Sequence, residues 1–277
     1  MLVATGVLAL LVTILFAIFA QGANAWALGE RQADIAQGTR LALDLLGREA
    51  TLAMVDTNSL PLQGLALQRN SPGKLFSLGR LGMDMTYDEV LFVAPTEVGN
   101  EIPTTVTRPY RLVSGLHYFV EDPVKLGLAT RADGKSPLLP SLMRRMLRTD
   151  STGGRKLHRP AQFGLYDAAW FNSTAAPAGT TNTFNVVADN VTYFAVQLLP
   201  RNPAVSPPGG DAKVTDMSTY IGLRIGLSLV DRRTMTRIEE VGKLPGSDWQ
   251  NYMRQNVHTT TNWATIYFQG YNVPSLP

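Results

Sequence analysis

The chain begins with a long stretch that carries no charge, and this stretch constrains its fold more than any other feature. The first charged side chain is Glu30. Between Met1 and Ala20 the only polar side chains are Thr5 and Thr13, whose hydroxyls can hydrogen-bond to the preceding helical turn. As an α-helix these residues would be roughly 30 Å long, the thickness of a bilayer's hydrocarbon core. The opening therefore predicts a membrane segment.

Three interpretations of this segment are open. Ala23-Asn24-Ala25 resembles the cleavage site of a secretory signal, although no basic region precedes the apolar stretch, which is also long for a signal. A simple single-span anchor ahead of an unrelated domain is the second. The third is one helix that starts in the membrane and continues into the folded domain, and the sequence after the span favours it.

The continuation from Trp26 to Val55 contains no proline and keeps a helical period. One stripe of this helix is predicted to pack on a sheet and form the core: Leu41, Leu45, Leu52 and Val55. On another face, Arg40, Asp44 and Arg48 have the i, i+4 spacing of surface ion pairs. Asn58, Ser59 and Pro61 are expected to end the helix.

The run MLVATGVLALL, followed by an amphipathic helix that ends LDLLGREATLA, resembles the N-terminal helix of type IV pilins and type II secretion pseudopilins. The resemblance is greatest to the larger minor subunits, the J-type pseudopilins and related prepilin-like proteins. Two later stretches are similar to core strands of these subunits: VVADNVTYFAVQLLPR at 186–201 and YIGLRIGLSLVDRRTMTRI at 220–238.

The family's leader, its peptidase-site glycine and its assembly glutamate are absent from this sequence. Aligned with the family motif, that glutamate would lie immediately before Met1. We therefore expect in-frame codons upstream of Met1 to encode a basic leader and a Gly-Phe-Thr-Leu-like stretch.

Beyond the helix, short apolar runs alternate with turn residues, as in an antiparallel sheet. The predicted strands are 90–94, 112–120, 184–187, 191–199, 221–230 and 263–268, and a second helix is predicted over 137–147. The predicted fold class is α+β, pilin-like, with a long N-terminal helix packed on an antiparallel β-sheet. The predicted organisation is a transmembrane part at 1–25, an amphipathic continuation at 26–57 and a globular domain at 58–277.

The sequence offers little for catalysis or metal binding. It has no cysteine, and its three histidines, His117, His158 and His258, lack the spacing of a zinc site. His117 is expected to be a satisfied residue of a strand. Asp84, Asp88 and Glu89 lack the spacing of a calcium loop and are expected to form a solvated turn, with calcium binding as the alternative.

A basic stretch is the remaining candidate for ligand binding. Its members are Arg144, Arg145, Arg148, Arg155, Lys156 and Arg159. Solvated charge is the expectation here, with phosphate, lipid headgroups or an acidic subunit as alternatives. The net charge of +3 and the few interleaved aromatic residues argue against nucleic acid as a partner.

The resemblance implies a structural role without enzyme activity or cofactor. The chain would be a minor pilin or pseudopilin subunit, inserted once in the inner membrane with its domain in the periplasm, that assembles into a filament. Its expected partners are other subunits, inner-membrane lipid and assembly-platform proteins. The residues expected to pack in membrane and filament are Val3, Val7, Leu8, Leu11, Ile14, Leu15 and Phe16. The alternative is a secreted or anchored β-rich binding domain with a cleaved signal peptide.

Overall fold

The structure is a computed structural model of the chain. It describes residues 2–53, 65–68, 76–78, 83–85, 87–96, 112–128, 139–149, 180–204, 212–214, 219–242 and 261–268. The chain divides into two compact units, Met1–Gly38 and Thr39–Pro277. The described part of the first unit is helical, and the second contains the end of that helix and all the described strands. The α+β class is confirmed.

Helix α1 runs from Leu2 to Thr51, so the predicted helix across Ala25 is confirmed. It ends four residues before the predicted Val55, which lies outside the described residues. The last turn tightens because Leu52 N–H bonds to the carbonyl of Glu49 at 3.2 Å, an i to i−3 contact. The Thr51 hydroxyl donates to the Gly47 carbonyl at 2.8 Å, which satisfies one of the carbonyls that a helix end leaves open.

A six-stranded antiparallel sheet is the largest of the described sheets. Its strands are ordered β7-β6-β5-β4-β1-β9. Their bounds are β1 Leu65–Gln68, β4 Glu89–Thr96, β5 Leu112–Glu121, β6 Ser141–Thr149, β7 Thr180–Ala188 and β9 Ala212–Val214. The predicted strands at 90–94, 112–120 and 184–187 lie within β4, β5 and β7 and are confirmed.

A second antiparallel sheet has three strands in the order β11-β10-β8. The bounds are β8 Val191–Pro200, β10 Tyr220–Leu229 and β11 Asn262–Tyr267, and they confirm the predicted strands to within one residue. A short helix, α2 at Arg232–Gly242, follows β10. A separate ladder joins β2 (Phe76–Leu78) to β3 (Met83–Met85).

The helix predicted over 137–147 is wrong where the structure describes it, because this segment contains most of strand β6. β6 is hydrogen-bonded to β5 on one edge and to β7 on the other, and side chains on both of its faces are buried. Leu142 and Met146 are buried on one face, and Met143 and Leu147 on the other. A strand buried on both faces is apolar almost throughout, and such a run cannot be distinguished from a buried helix by periodicity alone.

The chain passes between the two larger sheets at Asp189 and Asn190. β7 pairs with β6 in the six-stranded sheet, whereas β8 pairs with β10. Asn190 has a φ of 56°, in the left-handed region that asparagine tolerates better than most residues. The Asn190 carbonyl accepts a bond from Val230 N–H at 3.0 Å, and Pro140 accepts one from Val191 N–H at 2.9 Å. The turn is therefore fixed to both sheets.

Candidate functional site

The first candidate site is the apolar segment of α1, which is the uncharged part of the helix before Glu30. One helix in the described residues is long and apolar enough to cross a membrane, and none of its apolar window is buried within the chain. Six of the seven residues predicted to pack in membrane and filament are exposed: Val7, Leu8, Leu11, Ile14, Leu15 and Phe16. Val3 lies in the helix, but its side chain is outside the described residues.

Exposure is not limited to these predicted residues. Further large apolar side chains on the same segment are also exposed: Leu10, Val12, Ile18, Phe19, Trp26 and Leu28. These positions surround the helix on all sides. A segment that is apolar all round is typical of a helix that is covered by lipid or by other protein.

The second candidate site is the end of α1 against the six-stranded sheet. The predicted core stripe is wrong in its orientation, because Leu41 is 63% exposed and Leu45 and Leu52 are only half-buried. Val55 lies outside the described residues. The buried face is instead formed by Thr39, Ala42, Leu43, Leu46, Ala50 and Ala53. Three alanines on this face let the helix approach the sheet closely, whereas the predicted stripe contained only leucine and valine.

A polar cluster joins this part of the helix to the sheet. Arg144 of β6 donates to both carboxylate oxygens of Glu49, from Nε at 2.9 Å and from a terminal nitrogen at 2.6 Å. The Tyr118 hydroxyl of β5 donates to the same carboxylate. Tyr118 and Arg144 are directly opposite each other in the ladder, so they share a face of the sheet. Glu49 and Arg144 are each only 12% exposed, so solvent screens the pair weakly.

This environment changes the pKa values of the cluster. Burial raises the pKa of Tyr118, and the adjacent charge of Glu49 raises it further, because the phenolate would lie in a poorly solvated position beside a carboxylate. Burial acts to lower the pKa of Arg144, but hydrogen bonding and attraction to Glu49 outweigh it and raise the pKa. With both pKa values raised, Tyr118 stays neutral and Arg144 stays charged at neutral pH.

The opposite face of the same strands holds a second polar cluster. Glu89 of β4 and the His117 ring of β5 are 2.8 Å apart and almost fully buried. Arg145 of β6 is opposite His117 in the ladder and is also fully buried. Burial lowers the pKa of Arg145 to about 10. The negative charge of Glu89 acts in the opposite direction but is the smaller effect. The prediction that His117 is a strand residue is confirmed, and its Nε2 has a hydrogen-bond partner in Glu89.

The two charged stretches singled out in the sequence do not form surface patches in the described residues. Asp88 is buried and accepts a bond from Val196 N–H at 2.9 Å, and Glu89 is buried beside His117. The predicted solvated turn is therefore wrong for these two residues. The Asp84 side chain lies outside the described residues.

The basic stretch divides between the two clusters. The expectation of solvated charge is wrong for Arg144, which binds Glu49, and for Arg145, which is buried. The side chain of Arg148 and all of 155–159 lie outside the described residues. Successive residues of a strand point to opposite faces, so Arg144 and Arg145 do not share one surface.

The outer face of the three-stranded sheet is a third candidate surface, which was not predicted from the sequence. On the outer face of the three-stranded sheet Tyr193, Trp263 and Tyr267 are each about two-fifths exposed. The Tyr193 and Trp263 rings meet edge to face with centroids 6.2 Å apart, and the Arg224 guanidinium carbon lies 4.6 Å from the Trp263 ring centroid. The alternation of aromatic and aliphatic residues in 262–267 was a signal, but only the register shows that the aromatic side chains share a face.

Among the described residues, no group of three or more His, Asp or Glu side chains is arranged to hold a metal ion. The polar clusters on the six-stranded sheet are buried and join structural elements. Among the described residues, two exposed surfaces are candidates for binding other molecules: the apolar segment of α1 and the outer aromatic face. The sequence matches no protein-family model and no curated protein.

Proposed function

We propose that this chain is a minor pilin or pseudopilin subunit, held in the inner membrane by α1 and assembled through that helix into a pilus-like or type II secretion filament. Its globular domain would face the periplasm before assembly and lie at the tip or side of the filament afterwards. The role is structural, and the proposal assigns no catalytic residue.

One observation carries the proposal. A single helix, Leu2–Thr51, contains both an exposed apolar segment and a buried face that begins at Thr39 and packs in the sheet domain. A cleavable signal has no need of helical continuity into the mature domain, and a simple anchor has no need to contribute to the core. A subunit that is first held in lipid and then among neighbouring helices needs both properties.

The polar cluster at Glu49 gives independent support. A helix that transmits attachment from a membrane or a filament core must not rotate or slide on its own domain. The paired hydrogen bonds from Arg144 to Glu49 fix both the rotation and the axial position of the helix, because they have a directional geometry that leucine packing lacks.

The test combines a double substitution with a matched control. Leu8→Asp with Leu11→Asp places two carboxylates in the apolar segment, at a cost of about 6 kcal/mol for membrane insertion. We expect the variant to leave the membrane fraction and to disappear from sheared filaments. The control is Leu41→Asp, since Leu41 and Leu8 are both 63% exposed but Leu41 lies outside the apolar segment. It should remain in the membrane.

Mass spectrometry of the mature N-terminus separates the proposal from the secreted alternative. The proposal requires that α1 is retained, so the mature chain must include the residues before Ala25. A photoreactive residue at Phe16 should then crosslink to other subunits of the filament. A mature chain that begins at Trp26, or a double variant that is still membrane-bound and assembled, would contradict the proposal.

A further inference from the structure

The outer face of the three-stranded sheet has an unusual composition for a surface. Trp263 and Tyr267 lie on β11, Arg224 on the central strand β10 and Tyr193 on β8. The three aromatic side chains are 38%, 42% and 39% exposed in the order Trp263, Tyr267, Tyr193. Arg224 is the only charged residue in the three strands. Exposed aromatic clusters of this kind typically mark interaction sites.

The Trp263 ring is held in place before any ligand binds. A Cβ built on Gly226 would come within 2.9 Å of the Trp263 ring, so the glycine provides the space in which the indole lies across the sheet. Arg224 and Tyr193 then contact the ring from two further positions. A ring fixed in this way loses little conformational freedom on binding, which favours affinity.

The two faces of this sheet have different surroundings. On the inner face, Ile266 of β11 lies against helix α1, where a Cβ added to Gly47 would be 3.6 Å from an Ile266 side-chain carbon. Successive strand residues alternate between faces, so Trp263, Thr265 and Tyr267 lie on the side away from α1.

We infer that the outer aromatic face, formed by Tyr193, Arg224, Trp263 and Tyr267, binds a polysaccharide that carries carboxylate groups. The negative face of an aromatic ring attracts the C–H groups on the flat side of a sugar ring. Arg224 offers a planar pair of donors that fits a carboxylate. Gln197 and Thr265 are directly opposite Arg224 in the two ladders and therefore bring hydroxyl-binding groups to the same face.

The charge of the face distinguishes this ligand from a nucleic acid. A nucleic acid carries one phosphate per nucleotide, and its binding depends on several cations along the backbone. These three strands supply one cation, Arg224. A polysaccharide with spaced carboxylates matches a face on which aromatic area predominates and a single charge is available.

The experiment measures binding of the full-length chain in detergent to hyaluronate, which has one carboxylate on every second sugar, and to its fully methyl-esterified form, which is uncharged. An oligodeoxythymidine serves as the nucleic-acid probe. We expect binding to hyaluronate that exceeds binding to the ester. Trp263→Ala should weaken it about tenfold, in line with the loss of one stacked ring. Arg224→Gln should abolish the preference for the charged form.

Two further variants keep the result interpretable. Trp263→Phe retains a ring and should bind within about threefold of the unchanged chain, since most of the stacking area is kept. Leu128→Ala changes a side chain of similar exposure, 41%, that lies after β5 and should leave binding unchanged. Circular dichroism shows whether Trp263→Ala is folded, and if it is not, Trp263→Phe and Arg224→Gln decide the question.

Failure to bind either polysaccharide would overturn the inference. So would binding to the oligonucleotide alone, or a dimer that Trp263→Ala dissociates. The assay uses solubilised subunits and requires no filament, so it is independent of the assembly test. Binding without assembly would contradict the proposed function, whereas assembly without binding would contradict only this inference.

Discussion

At the scale of single residues, the most informative contacts are those of Glu49. This carboxylate receives hydrogen bonds from a guanidinium and a phenol on two neighbouring strands. The group is little exposed, so its removal would leave Arg144 with a charge that water solvates poorly. The helix and sheet therefore meet through a site that tolerates change less than a surface ion pair does.

We predict that Glu49→Gln lowers the free energy of unfolding by about 1–3 kcal/mol. The substitution removes charge-assisted hydrogen bonds and leaves the positive charge of Arg144 without its counter-charge. The measurement is denaturant unfolding of the full chain followed by near-ultraviolet circular dichroism. Asp44→Asn is the matched control on the same helix. Asp44 and Arg40 are 3.7 Å apart and 70% and 84% exposed, so its effect should be below about 1 kcal/mol. Equal effects of the two variants would contradict the prediction.

The tyrosines of the domain predict a loss of stability in alkali. Burial raises the pKa of Tyr87 and Tyr118 in the folded chain, and Glu49 adds to the effect at Tyr118. In the unfolded chain a tyrosine ionises near pH 10. Above that pH the unfolded state releases protons that the folded state keeps, so stability is complete below about pH 10 and falls as pH rises further.

Tyr118→Phe tests this linkage. A proton that the folded state keeps and the unfolded state releases lowers the free energy of unfolding by about 1.4 kcal/mol per pH unit. Above pH 10, the slope of stability against pH should therefore be shallower by about that amount in Tyr118→Phe than in the unchanged chain. Arg145 works in the opposite direction, since its lowered pKa of about 10 lets the folded chain release a proton first. Its contribution is common to both chains and cancels in the comparison. Parallel pH profiles for the two chains would show that the Tyr118 pKa is not raised.

At the scale of elements, the orientation of α1 on the sheet depends on small residues. The buried face includes Ala42, Leu46 and Ala50, whereas Leu41 is exposed. Choosing the larger hydrophobic side chains as the core assumes that size determines burial. Close packing of a helix on a sheet instead selects the face on which short side chains allow approach, and then fills the remaining space with one or two leucines.

We therefore predict different effects for two leucines on the same helix. Leu46→Ala should cost about 2–5 kcal/mol of unfolding free energy, because Leu46 is fully buried and its truncation leaves a cavity. Leu41→Ala should change stability by less than about 0.5 kcal/mol, since this side chain is 63% exposed. Both substitutions raise helix propensity slightly, so propensity does not explain a difference. The prediction is wrong if Leu41→Ala is the more damaging change.

Some elements of the fold could be predicted from the sequence, and others could not. Strands β4, β5, β7, β8, β10 and β11 were predictable because apolar runs ended at turn residues. Helix α1 was predictable because no proline interrupts its helical period. β6 was not predictable, because both of its faces are buried and its pattern therefore has no period of two. The partners of Glu49 and Glu89 were not predictable either, since they depend on which strands are neighbours.

At the scale of the whole molecule, the chain consists of a helical unit, Met1–Gly38, and a second unit, Thr39–Pro277, that contains both larger sheets. The buried side chains given above for α1 begin at Thr39, so they belong to the second unit. Among the described side chains of α1, none before Thr39 is buried in that core.

We predict that a chain comprising residues 39–277 folds without detergent. Its near-ultraviolet circular dichroism should match that of the full-length chain, because Glu49, Arg144 and Tyr118 are all retained. Its unfolding midpoint should agree with that of the full chain to within a few degrees, the change that about 1 kcal/mol produces in a protein of this size. An unfolded or aggregated product would show that residues 2–38 contribute to the core. A chain that starts at residue 55 is the informative comparison, since it lacks the buried end of α1 and should not fold.

The contact between Gly47 and Ile266 makes the order of synthesis important. The strand that covers this part of α1 is the last one described, more than two hundred residues after the helix. The ribosome must therefore synthesise β11 before this part of the helix receives that neighbour. Products that terminate before β11 would leave this side of α1 uncovered and open to proteolysis, so degradation would remove them selectively.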